Sequence, residues 1–221
     1  MYARFWKRLI DFLLSLTALL LLSPLLILLT AVGAAAMRGN PFFTQPRPGR
    51  RERVFRLIKF RTMSGRRDSE GNLLPDEQRL NGYGRFLRKT SLDELPELLN
   101  ILAGQMALVG PRPLLTEYLP LYSGEQYHRH DVRPGLTGYA QVHGRNTVPW
   151  EERFRMDVWY TRNISFRLDC RILLDTVLVV FRHDGIGSGT SETMEPFTGS
   201  RGADTSAENK EEPAEWEQNG N

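Results

Sequence analysis

The chain has 221 residues, one cysteine and a formal charge of +3, enough for one ordinary domain with a real core plus an anchor and a tail. The lone Cys170 excludes an internal disulfide framework and fits a reduced setting. Residues 201–221 carry two basic and six acidic side chains, net −4, which leaves +7 in residues 1–200; that excess suits phosphate, anionic lipid headgroups or nucleic acid without choosing among them.

The first element in chain order is Phe12 to Met37, FLLSLTALLLLSPLLILLTAVGAAAM, which holds no charge. At about 1.5 Å per residue it exceeds a hydrocarbon core of about 30 Å. Its leucines and isoleucine, at about −0.3 to −0.6 kcal/mol each, drive insertion by roughly −5 kcal/mol. It is also longer than the apolar part of a cleaved signal peptide, despite the small residues of AVGAAAM. Basic residues flank both ends, with Arg4, Lys7 and Arg8 before it and Arg38, Arg47, Arg50, Arg51, Arg53 and Arg56 after it. Positive flanks resist translocation, so both ends favour the cytoplasm. Pro24 cannot donate to the Leu20 carbonyl, and the Ser23 hydroxyl is placed to serve a freed carbonyl. A helix broken there would return both ends to one face, while a proline-kinked span is the commoner outcome of such a residue. Both stand open on these residues alone.

VFRLIKF, Val54 to Phe60, alternates apolar and basic residues and predicts a strand. RRDSEGNLLPDEQR is a polar loop with Gly71-Asn72 and Pro75 as breakers. Glu94 to Leu102 predicts a helix stopped by Gly104. VGPRPLL and VRPGLTGYAQVHGRN, rich in Gly and Pro, predict shaped loops and short strands that form site walls. Trp150 to Phe181 returns to helical spacing. Its Trp150, Trp159 and Tyr160 suit either a membrane interface or a core. From Gly185 the chain is small, polar and then acidic, the composition of disorder.

The chemistry centres on TSLDELPELLN, Thr90 to Asn100. Ser91 and Glu94 match an S-x-x-E capping box. Pro96 fits a helix starting at Asp93 better than one capped by Ser91. In either register Asp93 sits at a positive helix end, which favours its charged form. A charged carboxylate can attack phosphorus if cations shield the phosphate oxygens. Arg88, Lys59, Arg61, Arg112 and Arg145 are candidates, arginine suiting phosphate by its planar fork. Glu94 beside such a nucleophile could hold Mg²⁺ through oxygen. HRHD, His128 to Asp131, lacks a further ligand at zinc-like spacing and reads as loop packing, and Cys170 reads as a packed thiol.

The basic start, the apolar run broken at Ser23-Pro24, FTQPRPG, KFRTM, LRKTSLDELPELLN, LVGPRPL and VRPGLTGYAQVHGRN together closely resemble the bacterial sugar transferase family, over about Met1 to Phe181. These are small monotopic phosphoglycosyl transferases that load a sugar 1-phosphate onto a polyprenol phosphate. The chain is most similar to the minimal members that begin N-linked glycan assembly, since no multi-span segment precedes the catalytic part. The resemblance implies an α+β monotopic membrane protein: a re-entrant helical hairpin over 1–37, broken at Ser23-Pro24, then a small mixed catalytic core with amphipathic interfacial helices over 38–184. An acidic disordered tail over 185–221 completes the expected organisation. It also implies that Asp93 is the nucleophile and Glu94 its partner, both working with Mg²⁺, and that Lys59, Arg88, Arg112 and Arg145 contact substrate phosphate. The expected donor is a UDP-sugar that releases UMP, and the expected acceptor is undecaprenyl phosphate at the cytoplasmic face of the bacterial inner membrane. Downstream glycosyltransferases are expected partners in glycoconjugate and polysaccharide synthesis, and nucleic acid is not. Gln105, His143 and Glu97 depart from the family pattern, and none is expected to touch the acidic pair. The rival reading is a non-enzymatic, membrane-tethered basic module for anionic lipid or nucleic acid.

Overall fold

The computed structural model describes residues 1–144, 148–182 and 196–199. Helix α1 runs from Lys7 to Met37 after a single π-helical turn at Tyr2–Trp6. It is long and apolar enough to cross a membrane. Helical structure continues across Ser23-Pro24, so the break expected there is not an interruption of the helix. The Ser23 hydroxyl donates to the Leu20 carbonyl at 2.8 Å, replacing the bond that Pro24 cannot make.

Polar contacts at both ends tie α1 to one body. Near its start, Lys7 pairs with Asp169 at 2.6 Å, and the Arg8 guanidinium donates to the Ile101 and Leu102 carbonyls. Asp11 accepts from the Leu108 amide. Near its end, Tyr83 and Asn81 donate to the Leu29 and Ala36 carbonyls. Between these contacts Leu20, Leu21, Ile27 and Leu28 are mostly exposed, a large apolar surface for lipid.

The body is α+β. Strands β1 (Phe42–Pro48) and β2 (Val54–Phe60) pair antiparallel. The short helix α2 (Asp76–Arg79) sits in the polar loop, before α3 (Gly82–Thr90) and α4 (Glu97–Leu102). A second, parallel pair joins β3 (Ala107–Val109) to β4 (Gly135–Thr137). Gly110 and Gly135 allow this close approach, since a β-carbon on Gly135 would lie 2.1 Å from the Gly110 nitrogen. The last helices are α5 (Tyr139–His143), α6 (Trp150–Arg162) and α7 (Phe166–Arg182).

The continuous helical spacing from Trp150 is thus two helices. Tyr160 is no interfacial residue, since it is 1% exposed and its hydroxyl lies 2.7 Å from Asp169 Oδ1 and 3.1 Å from the Val109 carbonyl. Trp150 and Trp159 pack against the aromatic and α7 cores respectively. The apolar surface on this side comes instead from Phe166, Leu174, Val177 and Leu178 of α7, and Phe166 meets Tyr2 of the turn before α1 edge-on. Within the expected tail, Phe197 is buried among Leu114, Tyr122 and Phe154, so residues 196–199 belong to the body; residues 183–195 and 200–221 lie outside the described residues.

Asn100 locks α4 to β2. Its amide nitrogen donates to the Arg56 carbonyl at 2.8 Å and to Gln105 Oε1 at 2.7 Å, and its Oδ1 accepts from the Ile58 amide at 3.1 Å. With Phe55 and Leu57 of β2 buried against Leu98, Ile101 and Met106, this fixes the strand over the helix. Asn100→Ala should leave buried backbone groups unpaired and cost about 2 to 4 kcal/mol, checked by denaturation of the detergent-solubilised protein; a loss below about 1 kcal/mol would contradict this role.

Candidate active site

Three segments meet at the acidic pair. Alternation along β2 puts Lys59 on the same face as Phe55 and Leu57, and so over α4. Asp93 and Glu94 lie on a single 3₁₀ turn, Leu92–Glu94, between α3 and α4. Arg112 stands between Pro111 and Pro113 in the loop after β3. Lys59 Nζ lies 2.7 Å from Glu94 Oε1 and 3.0 Å from Glu97 Oε1. Arg112 Nη2 donates to the same Glu94 Oε1 at 2.8 Å. One carboxylate oxygen thus holds two cations. Asp93 forms no ion pair among the described residues, although Lys59 and Arg112 lie within electrostatic reach of it.

The capping box is absent. Ser91 is instead the left-handed C-cap of α3, with φ 55° and no side-chain capping bond, because Glu94 is spent on Lys59 and Arg112. Pro96 takes the N-cap position of α4, where its missing amide costs nothing. The expectation that a helix end favours charged Asp93 is also overturned. Burial pushes its carboxyl up to about 6 and the Glu94 charge adds to this, while Lys59 and Arg112 oppose the rise only in part. One 3₁₀ turn before a six-residue helix has too little dipole to offset that desolvation. For Glu94, burial acts upward, but Arg112 and Lys59 outweigh it and hold the group below the usual range. Glu97, 3% exposed, is raised by burial, with Lys59 opposing and Glu94 reinforcing. The carboxylates therefore titrate as a linked set.

Glu97 was expected to stay clear of the acidic pair, yet it shares Lys59 with Glu94. Gln105 anchors Asn100, and His143 stacks on Tyr139. Arg88, on the last turn of α3, donates to Thr62 at 3.2 Å; Arg61 donates to the Phe42 carbonyl. Arg145 lies outside the described residues.

Sequence reasoning missed what aims Arg112. Arg129, 2% exposed, makes a paired bond to Asp157 at 2.7 and 3.2 Å and donates to the Arg112 carbonyl at 2.8 Å. Its guanidinium also lies over the Tyr122 and Phe154 rings. The signal was present: Asp157 follows Phe154 by one helical turn, and an acid on a buried stripe calls for a buried cation. The HRHD run is loop packing as expected, with His128 bonded to Asp131 and Arg129 turned inward.

Among the described residues no group of three or more His, Cys, Asp or Glu could hold a metal. Two adjacent carboxylates still fit Mg²⁺, which commonly takes one or two carboxylates and fills its octahedron with water and substrate phosphate. Asp93 lacks a cationic partner, and both cations on Glu94 use Oε1, leaving Oε2 outside them.

The family model for bacterial sugar transferases matches residues 2–183. The chain is 52% identical over 198 residues to an uncharacterized sugar transferase of Bacillus subtilis, covering 88% of this chain and 96% of that protein. It is 38% identical over 204 residues to an undecaprenyl-phosphate galactose phosphotransferase of Salmonella typhimurium, covering 83% of this chain and 42% of that one. It is 36% identical over 187 residues to a UDP-glucose:undecaprenyl-phosphate glucose-1-phosphate transferase of Klebsiella pneumoniae, covering 80% and 40%. The chain thus spans about two fifths of these two longer relatives and nearly all of the first. A basic docking module would leave its cations unpaired, whereas here Lys59 and Arg112 converge on Glu94 and Lys59 also reaches Glu97. With the family model covering most of its length, the chain belongs to the bacterial sugar transferases and is a transferase.

Proposed function

We propose that this chain transfers a sugar 1-phosphate from a UDP-sugar to undecaprenyl phosphate in two steps through Asp93. The observation that carries the reading is an Asp93 carboxylate without a cation of its own, next to a Glu94 that gathers Lys59 and Arg112. An Asp93 oxygen attacks the sugar-linked phosphorus. The bond from that phosphorus to the bridging oxygen breaks, and UMP leaves with the electron pair. An oxygen of undecaprenyl phosphate then attacks the same phosphorus and releases the Asp93 carboxylate, giving a polyprenol diphosphate sugar. Two steps let a soluble donor and a lipid acceptor use one site in turn. Lys59 and Arg112 offset the charge that builds on the phosphate oxygens in each. Bound by Asp93 and Glu94, Mg²⁺ would add charge neutralisation at those oxygens. The product suits downstream glycosyltransferases that extend a lipid-linked glycan.

The same reading places the site at the cytoplasmic face of the bacterial inner membrane. Support comes from the two ends of α1, both bonded to one catalytic body, and from the apolar surface between them. A helix entering the bilayer and returning satisfies that geometry together with two basic flanks.

Three outcomes test it. Asp93→Asn should abolish UMP release from a UDP-sugar supplied without acceptor while folding at least as stably as the parent, because burial penalises the charge it removes; undiminished release would refute the nucleophile. Without added Mg²⁺, single-turnover UMP release should fall as pH drops through about 6, where Asp93 takes up a proton; a profile flat down to pH 4 would contradict this. Cysteines introduced at Ala3 and Arg53, in a Cys170→Ser background, should react with impermeant reagents only from the cytoplasmic side, and periplasmic labelling of either would exclude re-entry.

A further inference from the structure

We propose, building on the phosphoryl-transfer reading above, that Arg47 is a further phosphate-binding residue of the site and works alongside Arg112. Arg47 lies on β1 directly opposite Phe55. Residues opposite one another in an antiparallel pair share a face. That face carries Phe55 and Leu57 into the core and Lys59 onto Glu94, so Arg47 stands on the site side of the ribbon. The next residue, Pro48, is buried beside Pro111, Arg112 and Pro113.

Only one of its five donors is engaged among the described residues. Nη2 donates to Gln45 Oε1 at 2.8 Å, an acceptor from its own strand that fixes the guanidinium plane. Nε is buried and has no hydrogen-bond partner. A buried donor left unpaired is costly, and so is a second guanidinium near Arg112. Burial and the Arg112 charge both pull the Arg47 group below its ordinary value, with Glu97 opposing. Arg112 is already neutralised by Glu94, while Arg47 forms no ion pair among the described residues. An arginine with an unpaired donor, on the ribbon face that carries Lys59 and within electrostatic reach of Arg112, suits a phosphate, whose oxygens accept parallel bonds. Polar strain of this kind is kept where a ligand relieves it. The phosphate could belong to the donor's diphosphate or to the lipid acceptor, and the two are separable by experiment.

The test uses the full chain in lipid nanodiscs, comparing the parent with Arg47→Gln and Arg47→Lys. Three quantities are read: UDP affinity by calorimetry, the undecaprenyl phosphate concentration that half-saturates transfer from a UDP-sugar found active in a panel, and thermal unfolding without substrate. Arg47→Gln should weaken one of the two ligands roughly ten- to hundredfold, the scale of a bond to a charged group. Arg47→Lys should recover part of the loss. Weaker UDP binding assigns the donor diphosphate, and weaker acceptor saturation assigns the lipid phosphate. The empty Arg47→Gln protein should unfold at the parent's temperature or above it, since it loses a repulsion. Unchanged affinity for both ligands overturns the inference, as does a loss of affinity matched by a lower unfolding temperature, which would mark a structural arginine. A parent that binds no UDP and releases no UMP from any UDP-sugar overturns the phosphoryl-transfer reading itself, and the inference with it.

Discussion

Glu94 Oε1 is the point on which this site depends. Lys59 and Arg112 come from a strand and a loop more than fifty residues apart, and both close on that one oxygen within 3 Å. Without the carboxylate the two cations would repel each other. With it they are fixed relative to the 3₁₀ turn that carries Asp93, so cations and acidic pair are ordered before any substrate arrives. Preorganised charge of this kind lowers a barrier because it need not reorient as the reaction proceeds. Arg129 extends the order outward, since its pair with Asp157 also holds the Arg112 carbonyl.

This arrangement works against stability at several positions. Three carboxylates, Asp93, Glu94 and Glu97, crowd around Lys59 and Arg112, and burial disfavours charge on each of them. Only Glu94 gains enough from its partners to stay well ionised. Asp93 is left poised, with a carboxyl raised to about 6. In the role proposed for it, a carboxylate paired firmly with a cation would be more stable and less reactive, because its lone pairs would already be engaged. The unpaired acid and the mostly unused Arg47 donors are therefore the local inconsistencies expected of a functional site.

Much of the framework was legible because it follows from short-range rules. The apolar run of α1, the alternation of β2 and the role of the Ser23 hydroxyl each depend on a few neighbouring residues. The acidic pair and its cations were legible through motifs in a fixed order. What escaped was set by tertiary contact. Glu97 looks like one more polar residue on a short helix until β2 brings Lys59 to it. Ser91 to Glu94 carries a capping pattern, but tertiary cations took the glutamate away from its local role. The charge state of Asp93 was misjudged for the same reason, since the pattern reveals a helix end and conceals the burial that dominates it. Phe197 belongs to a polar, small-residue segment, and only the aromatic cluster formed by Leu114, Tyr122 and Phe154 explains why it packs.

The depth of the site relative to the bilayer follows from the first turns of α1. Arg8 donates to the carbonyls of Ile101 and Leu102, which end the short helix that begins at Glu97. Asp11 accepts from Leu108 in β3, the strand that leads into the Arg112 loop. Lys7 holds Asp169 of α7, which also accepts from Tyr160. The same helical turn therefore reaches both sides of the Glu94 junction. Since the apolar surface of α1 sets how far the helix sinks, these three residues transmit that depth to the acidic pair through rigid, short elements. On the proposed reaction, a lipid acceptor whose phosphate rides at the headgroup level needs Asp93 at a constant height, and a site carried on a mobile linker would not supply that. The polar residues at the head of an otherwise apolar helix are thus best understood as the part that holds membrane and chemistry in register.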